Sequence, residues 1–218
     1  MNTENEIINP QEVKKQSEKI ILNAGGEILD CLPIIGEVKP RSLNEIINRA
    51  LIFNAVYQLN MKAPKWCLSN WIEEHELETY LRPKEWGFLY TSNELTNEER
   101  WELYWSLDSL WTILWATGLI ETLSFDQQVG DELAGLSPNL QINENSSKYA
   151  SMMKLRSTKS LYSMLDLYYR VHWWFRNNAL TKKEQPKNID INQIIARRQA
   201  LEWILNSDVD WDAVNLST

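Results

Sequence analysis

The sequence predicts an all-α protein, a compact multi-helix single domain built on two central tryptophan-rich helices. Three observations predict it. Apolar residues recur at helical spacing in long runs, and Ser/Thr-x-x-Glu pairs stand where two of those runs begin. The 218 residues include only 7 Gly and 7 Pro, few for the many turns of an all-β chain. Eleven tryptophans make aromatic packing the expected substance of the core.

The elements follow in order. From about Glu12 to Leu22, Val13, Ser17, Ile20 and Ile21 fit a short helix that Gly25-Gly26 stops, because glycine takes left-handed cap angles freely. Leu32-Pro33 marks an extended connection. Ser42 with Glu45 has capping-box spacing, and Ile46, Ala50, Phe53, Val56 and Tyr57 carry one face of a helix to about Asn60. Pro64 opens a shorter helix bearing Trp66, Leu68 and Trp71, whose acidic end WIEEHELE reads as a solvated face.

Thr96 with Glu99 opens an unbroken pattern from Asn97 to Thr117, which Gly118 ends. Trp101, Trp105, Thr112 and Trp115 line one side of it and Tyr104, Leu107, Trp111 and Leu114 another, so the helix is apolar nearly all round and central. Asp108 lies inside that surround and calls for a basic partner, with Arg156, Arg170 and Arg176 as candidates. The segment from Leu123 to Lys148 is rich in Gly, Pro, Asn and Ser; it reads as a loop with short helical turns and as the candidate mobile segment. Thr158 to Asn178 forms the second long helix, expected to pack against the first. A last helix spans about Asp190 to Asn206. In the tail DVDWDAVNLST, Trp211 and Val214 predict one turn docked on the body, with Asp210 and Asp212 beside it. Residues 1–218 are taken as one domain, with a smaller N-terminal lobe over 1–93 as the alternative division.

A net charge of -8 and a pI near 4.9 argue against nucleic acid and anionic membrane, which need a basic surface, and favour a basic protein partner. Cys31 and Cys67 have no metal or redox spacing and read as buried reduced thiols. The N-terminal sequence has no apolar signal region, and the apolar stretch after it is broken by charges, glycines and Pro33. The expected location is the cytoplasm.

One constellation of polar groups stands within the apolar helices: Asp108 on the first, Asp166, Arg170, His172 and Arg176 on the second, and Arg197 on the last. Trp211 and Asp212 of the tail would close one side of it. Asp166 and Arg170 share a helix face, as do His172 and Arg176, while His172 is rotated away from Asp166. A histidine beside arginines and carboxylates suits acid/base work or the binding of a small anion. The same groups suit ion pairs that fix the register of packed helices, and this structural reading is preferred. No residue is assigned as catalytic. There is no HExxH, CxxC, Gly-rich phosphate loop or GxSxG, and two histidines cannot build a His-rich zinc site, so no metal and no cofactor is expected.

Four segments carry a resemblance: LPIIGEVKPRSLNEIINRA; WSLDSLWTILWATG; LRSTKSLYSMLDLYYRVHWWFRNNAL; and RRQALEWI with DWDAVNLST. Through them the chain resembles the bacterial DUF4272 family, a domain of unknown function. The resemblance implies a fold and no activity. The family's pattern often places an acid before the arginine at 197, another before the terminal threonine, and an Asp at 177. This chain has Ala196, Ser217 and Asn177 there. The function expected is a non-enzymatic cytoplasmic binding or protein-interaction domain. The alternative is an enzyme or small-anion sensor using the Asp/Arg/His cluster.

Overall fold

A helix leaves the amides of its first turn unbonded, and this chain supplies a side chain for them at several starts. In the computed structural model, which describes residues 7–187 and 189–218, Asn9 caps α1 (Pro10–Asn23) and Ser42 caps α2 (Leu43–Asn60). Thr96 caps α5 (Asn97–Ala116), Ser157 caps α7 (Thr158–Thr181) and Asp190 caps α8 (Ile191–Leu205). At Ser42 and Thr96 the reciprocal bond from the third-residue glutamate completes the box. Gly25 and Gly118 follow α1 and α5 with φ of 78° and 79°, the left-handed geometry the sequence anticipates. Between these elements lie α3 (Lys65–Glu74), α4 (Pro83–Tyr90) and α6 (Ser147–Met152). The fold is all-α: the described residues contain no strand, only an isolated bridge between Lys39 and Asn206.

The chain divides into two compact units, each drawn from separated stretches of sequence. The first contains residues 1–41, 123–127 and 156–218, and its helices are α1, α7 and α8. Here α7 packs on α8 and α1, burying Leu161, Leu165, Tyr168, Val171 and Trp174. The C-terminal carbonyls of α8 are taken up by residues distant in sequence. The amides of Lys39 and Arg41 donate to Leu205 and Ile204, and the Arg41 guanidinium donates to the carbonyls of Trp203, Asn206 and Val209. That guanidinium also lies 4.3 Å over the Trp203 ring. The tail beyond α8 is docked, as expected: Trp211 is 7% exposed, its ring 5.6 Å from that of Trp203, and Gln199 donates to its carbonyl.

The second unit contains residues 42–122 and 128–155, with α5 packed on α2 and with α3 and α4 adjoining α2. Each unit contains one of the two tryptophan-rich helices, α7 in the first and α5 in the second. From Ser106 to Thr117 only Leu107 of α5 is not fully buried, but its first turns turn Trp101 and Tyr104 outward. The short helix α4 was not anticipated. Its start is fixed by Glu85, which accepts from the Arg82 amide and is wholly buried between Arg49 and Arg82 at 2.5 and 2.9 Å. Residues 128–148 of the segment expected to be mobile are anchored within this unit: Asn54 donates to the Pro138 carbonyl, and the Trp71 indole donates to that of Glu144. Both cysteines are free, but Cys31 is exposed and Cys67 half-buried, because their segments turn other residues inward. Among the described residues no helix is long and apolar enough to cross a membrane.

Candidate functional site

The middle of α7 carries LDLYYRVHWWFR, in which leucines, valine and aromatic rings occupy the core-facing positions and the polar groups fall between them. Asp166 and Arg170, one turn apart, form a forked pair: Nε donates to Oδ2 at 2.9 Å and Nη2 to Oδ1 at 2.8 Å. Nη2 also donates to the Pro33 carbonyl, and Nη1 stands 3.7 Å from Glu18 of α1. Arg170 thus joins α7, α1 and the extended connection.

Two residues further along α7, His172 faces Arg198 of α8. Arg198 Nη1 lies 2.8 Å from His172 Nδ1. A guanidinium has no lone pair to offer, so Nδ1 must be the acceptor and the ring proton sits on Nε2. Burial, then the positive charges of Arg198 and Arg176, push His172 down to about 4, and the ring is neutral at neutral pH. The remaining donors of Arg198 go to Glu202 and to the carbonyls of Leu216 and Ser217. Burial lifts the Glu202 carboxyl above its ordinary range against the pull of Arg198. Tyr169 lies between the two groups, its ring 5.8 Å from the Arg170 guanidinium carbon and 4.9 Å from that of Arg198.

Arg197, wholly buried, turns the other way. Its Nη1 donates to the Ser124 carbonyl at 2.7 Å and to the Tyr168 hydroxyl, and Nη2 donates to the Gln127 carbonyl at 2.9 Å. Gln193, one turn earlier, donates to Phe125 and Gln127. Residues 124–127 are thereby fastened to α8.

Seven of the eight sequence-derived positions lie in the first unit, on α7, α8 and the tail. Asp166, Arg170 and His172 lie along one stretch of α7; Arg197 holds a loop; Trp211 is buried in the docked tail; Arg176 and Asp212 are exposed. Asp108 is buried on α5 and belongs to the second unit. The constellation read from the sequence does not include Arg198, Glu18 or Glu202. The i,i+4 spacing of Arg198 and Glu202 was the available signal. Among the described residues no group of three or more His, Cys, Asp or Glu side chains is placed to hold a metal ion. Chemically, the cluster has a neutral histidine whose one acceptor is taken and guanidiniums directed at main-chain carbonyls.

The family described as "Domain of unknown function (DUF4272)" matches residues 13–214, nearly the whole described chain. The chain belongs to this family. Among the residues matched are the α7 and α8 positions that build the cluster. No curated protein and no solved structure matches the chain. At two positions where the resemblance implies an acid, Ala196 is buried on α8 and the Asn177 amide donates to Glu27.

Proposed function

We propose that this DUF4272 domain is a non-enzymatic binding module of the cytoplasm that takes a basic protein segment on the aromatic and acidic surface of α3, α4 and α5. The observation that carries this reading is the exposure of three indoles in one unit: Trp66 at 68%, Trp86 at 51% and Trp101 at 62%. Indoles are costly to leave in water and are enriched at protein interfaces. Each stands opposite a buried face of its own helix, away from Leu68 and Trp71, from Phe88 and Leu89, and from Leu103. Eight carboxylates besides the buried Glu85 stand against five Lys and Arg between residues 61 and 105 and give this stretch negative charge. Lysine and arginine suit such a surface, since a cation gains both from a carboxylate and from the face of an indole. The engagement of Arg197 and Arg198 by the protein's own carbonyls supports a structural role for the α7/α8 cluster, and so weighs against the enzyme or anion-sensor reading.

Titration of the protein with nona-arginine, followed by tryptophan fluorescence, tests this. Saturable binding that weakens with salt is expected, together with at least about a tenfold loss in the triple variant Trp66→Ala/Trp86→Ala/Trp101→Ala. Equal affinity in a triple variant that melts like the parent would show that charge alone is being read, and would end the proposal.

A further inference from the structure

The chain beyond α8 is fastened in two different ways. Up to Ala213 it has packing and several bonds: Arg41 donates to the Asn206 and Val209 carbonyls, Gln199 to that of Trp211, and the Trp211 ring lies against Trp203. From Val214 to Thr218 the hold is thinner. Among the described residues only two hydrogen bonds join this segment to a helix, from Arg198 Nη1 to the Leu216 carbonyl at 3.1 Å and from Nη2 to the Ser217 carbonyl at 3.2 Å. Its other side-chain bonds are internal, between Ser217 and Asn215. Seating the segment also leaves the Thr218 hydroxyl buried without a hydrogen-bond partner, a cost that lifting removes.

The grip on Leu216 depends on His172. Nη1 of Arg198 has two hydrogens; one goes to Leu216 and the other to His172 Nδ1 at 2.8 Å. That bond exists only while Nδ1 is bare. A proton there makes both partners donors and both positive, so the guanidinium has to move off and its bond to Leu216 goes with it. The surroundings do not relieve the repulsion. On α7 the nearby groups are the neutral phenol of Tyr169 and the positive Arg176, whose charge is felt at both His172 and Arg198. On α8, Glu202 is held on Nε and Nη2 of the same guanidinium. From α1, Glu18 is directed at Arg170 and Lys14 at the connection after α1. Glu202 acts against the ring, because burial lifts its carboxyl and proton uptake there favours the buried state.

We propose that residues 214–218 are an acid-released strap: protonation of His172 drives Arg198 off the Leu216 and Ser217 carbonyls and frees the segment from Val214 onward, while α7, α8 and the Trp211 turn stay folded. The opening is local and reversible, distinct from a loss of global stability. It belongs to the first unit and does not rest on the proposed function. With the strap seated His172 is held down to about 4, first by burial and then by the two arginines. If lifting restored the ordinary 6.5 in full, the ratio of open to seated strap would rise about twentyfold between pH 7 and pH 5, which is the ceiling for the ring's effect.

Nitrogen-15 NMR of the whole protein from pH 7 to pH 4.5 tests this, reading amide shifts and heteronuclear NOEs of residues 214–218 beside those of α7 and α8, and the imidazole nitrogens of His172. The strap is expected to be ordered at pH 7 and to move toward flexible values on acidification, in step with protonation of the ring and before the helices change, with a severalfold rise in open fraction by pH 5. His172→Gln, whose amide oxygen can accept from Arg198 at every pH, should keep the strap seated throughout. If that variant does not fold, the coincidence of the two transitions in the parent decides the matter. A strap that is already flexible at pH 7, that stays ordered until the helices unfold, that opens at a pH where the ring does not titrate, or that opens identically in His172→Gln overturns the proposal.

Discussion

His172 accepts a hydrogen bond from Arg198 at 2.8 Å, and that same guanidinium holds the carbonyls of Leu216 and Ser217. A neutral imidazole on α7 and the last residues of the chain therefore share one cation. Because the cation is nearly enclosed, losing it strands several acceptors at once. Arg198→Met, which keeps the aliphatic stem, is expected to cost about 3 kcal/mol, as for the breaking of a buried pair from one side. A lowered urea midpoint, with faster proteolysis beyond Asn206, is the result to look for.

The same contact makes stability depend on pH. The folded value of His172 is about 4, below its ordinary 6.5, so the unfolded chain takes up the proton first. The contribution is complete above pH 6.5 and is lost as pH falls toward 4. Comparing unfolding free energies of the parent and His172→Gln across that window isolates the effect, and the parent should lose more stability on acidification than the variant. Parallel curves would show that the histidine is already protonated in the folded state.

Glu85 is expected to matter more than any surface acid. Burial alone would raise its carboxyl, but Arg49 and Arg82 outweigh burial and hold it below the usual carboxylate range. Glu85→Gln keeps the shape and removes the charge that both guanidiniums face, so a loss of about 3 to 5 kcal/mol is expected in denaturant titration. Lys84→Gln, which removes the exposed pair with Glu102, should change stability by less than about 1 kcal/mol.

Gly26 tests packing. A methyl group there would meet Ile21 Cγ2 at 2.5 Å and the Trp174 ring at 2.9 Å. Gly26→Ala is therefore expected to destabilise by about 1 to 3 kcal/mol through overpacking, despite the lower backbone entropy of alanine in the unfolded chain. Thermal melting of this single variant is sufficient to check it.

What could be read from the sequence was what short-range physics decides. The capping boxes at Ser42 and Thr96, the glycine stop at Gly118, and the extent of α7 and α8 all follow from patterns within a few turns. Helix α4 escaped because PKEWGFLY is short and contains Gly87, and its start is secured by Arg49, 36 residues earlier, through Glu85. The destination of each arginine was equally hidden: Arg197 and Arg198 are neighbours in sequence, yet one grips residues 124–127 and the other the tail. Helical periodicity ranks a tryptophan as apolar wherever it stands, so it could not separate exposed Trp101 from buried Trp111.

The partition of the chain bears on the order in which it is made. Helices α2 to α5 and most of the residues packed with them lie in residues 42–155, so their partners have all been synthesised by the time α7 begins. The first unit has no such advantage. Its α1 must wait for α7, and the Arg41 cap on α8 waits for Trp203, 162 residues downstream. Contacts that join the two ends of a chain close slowly and late. On a ribosome the second unit can therefore condense first, while α1 emerges with Val13 and Ile21 uncovered, the stretch of nascent chain most in need of a chaperone until the final helices arrive.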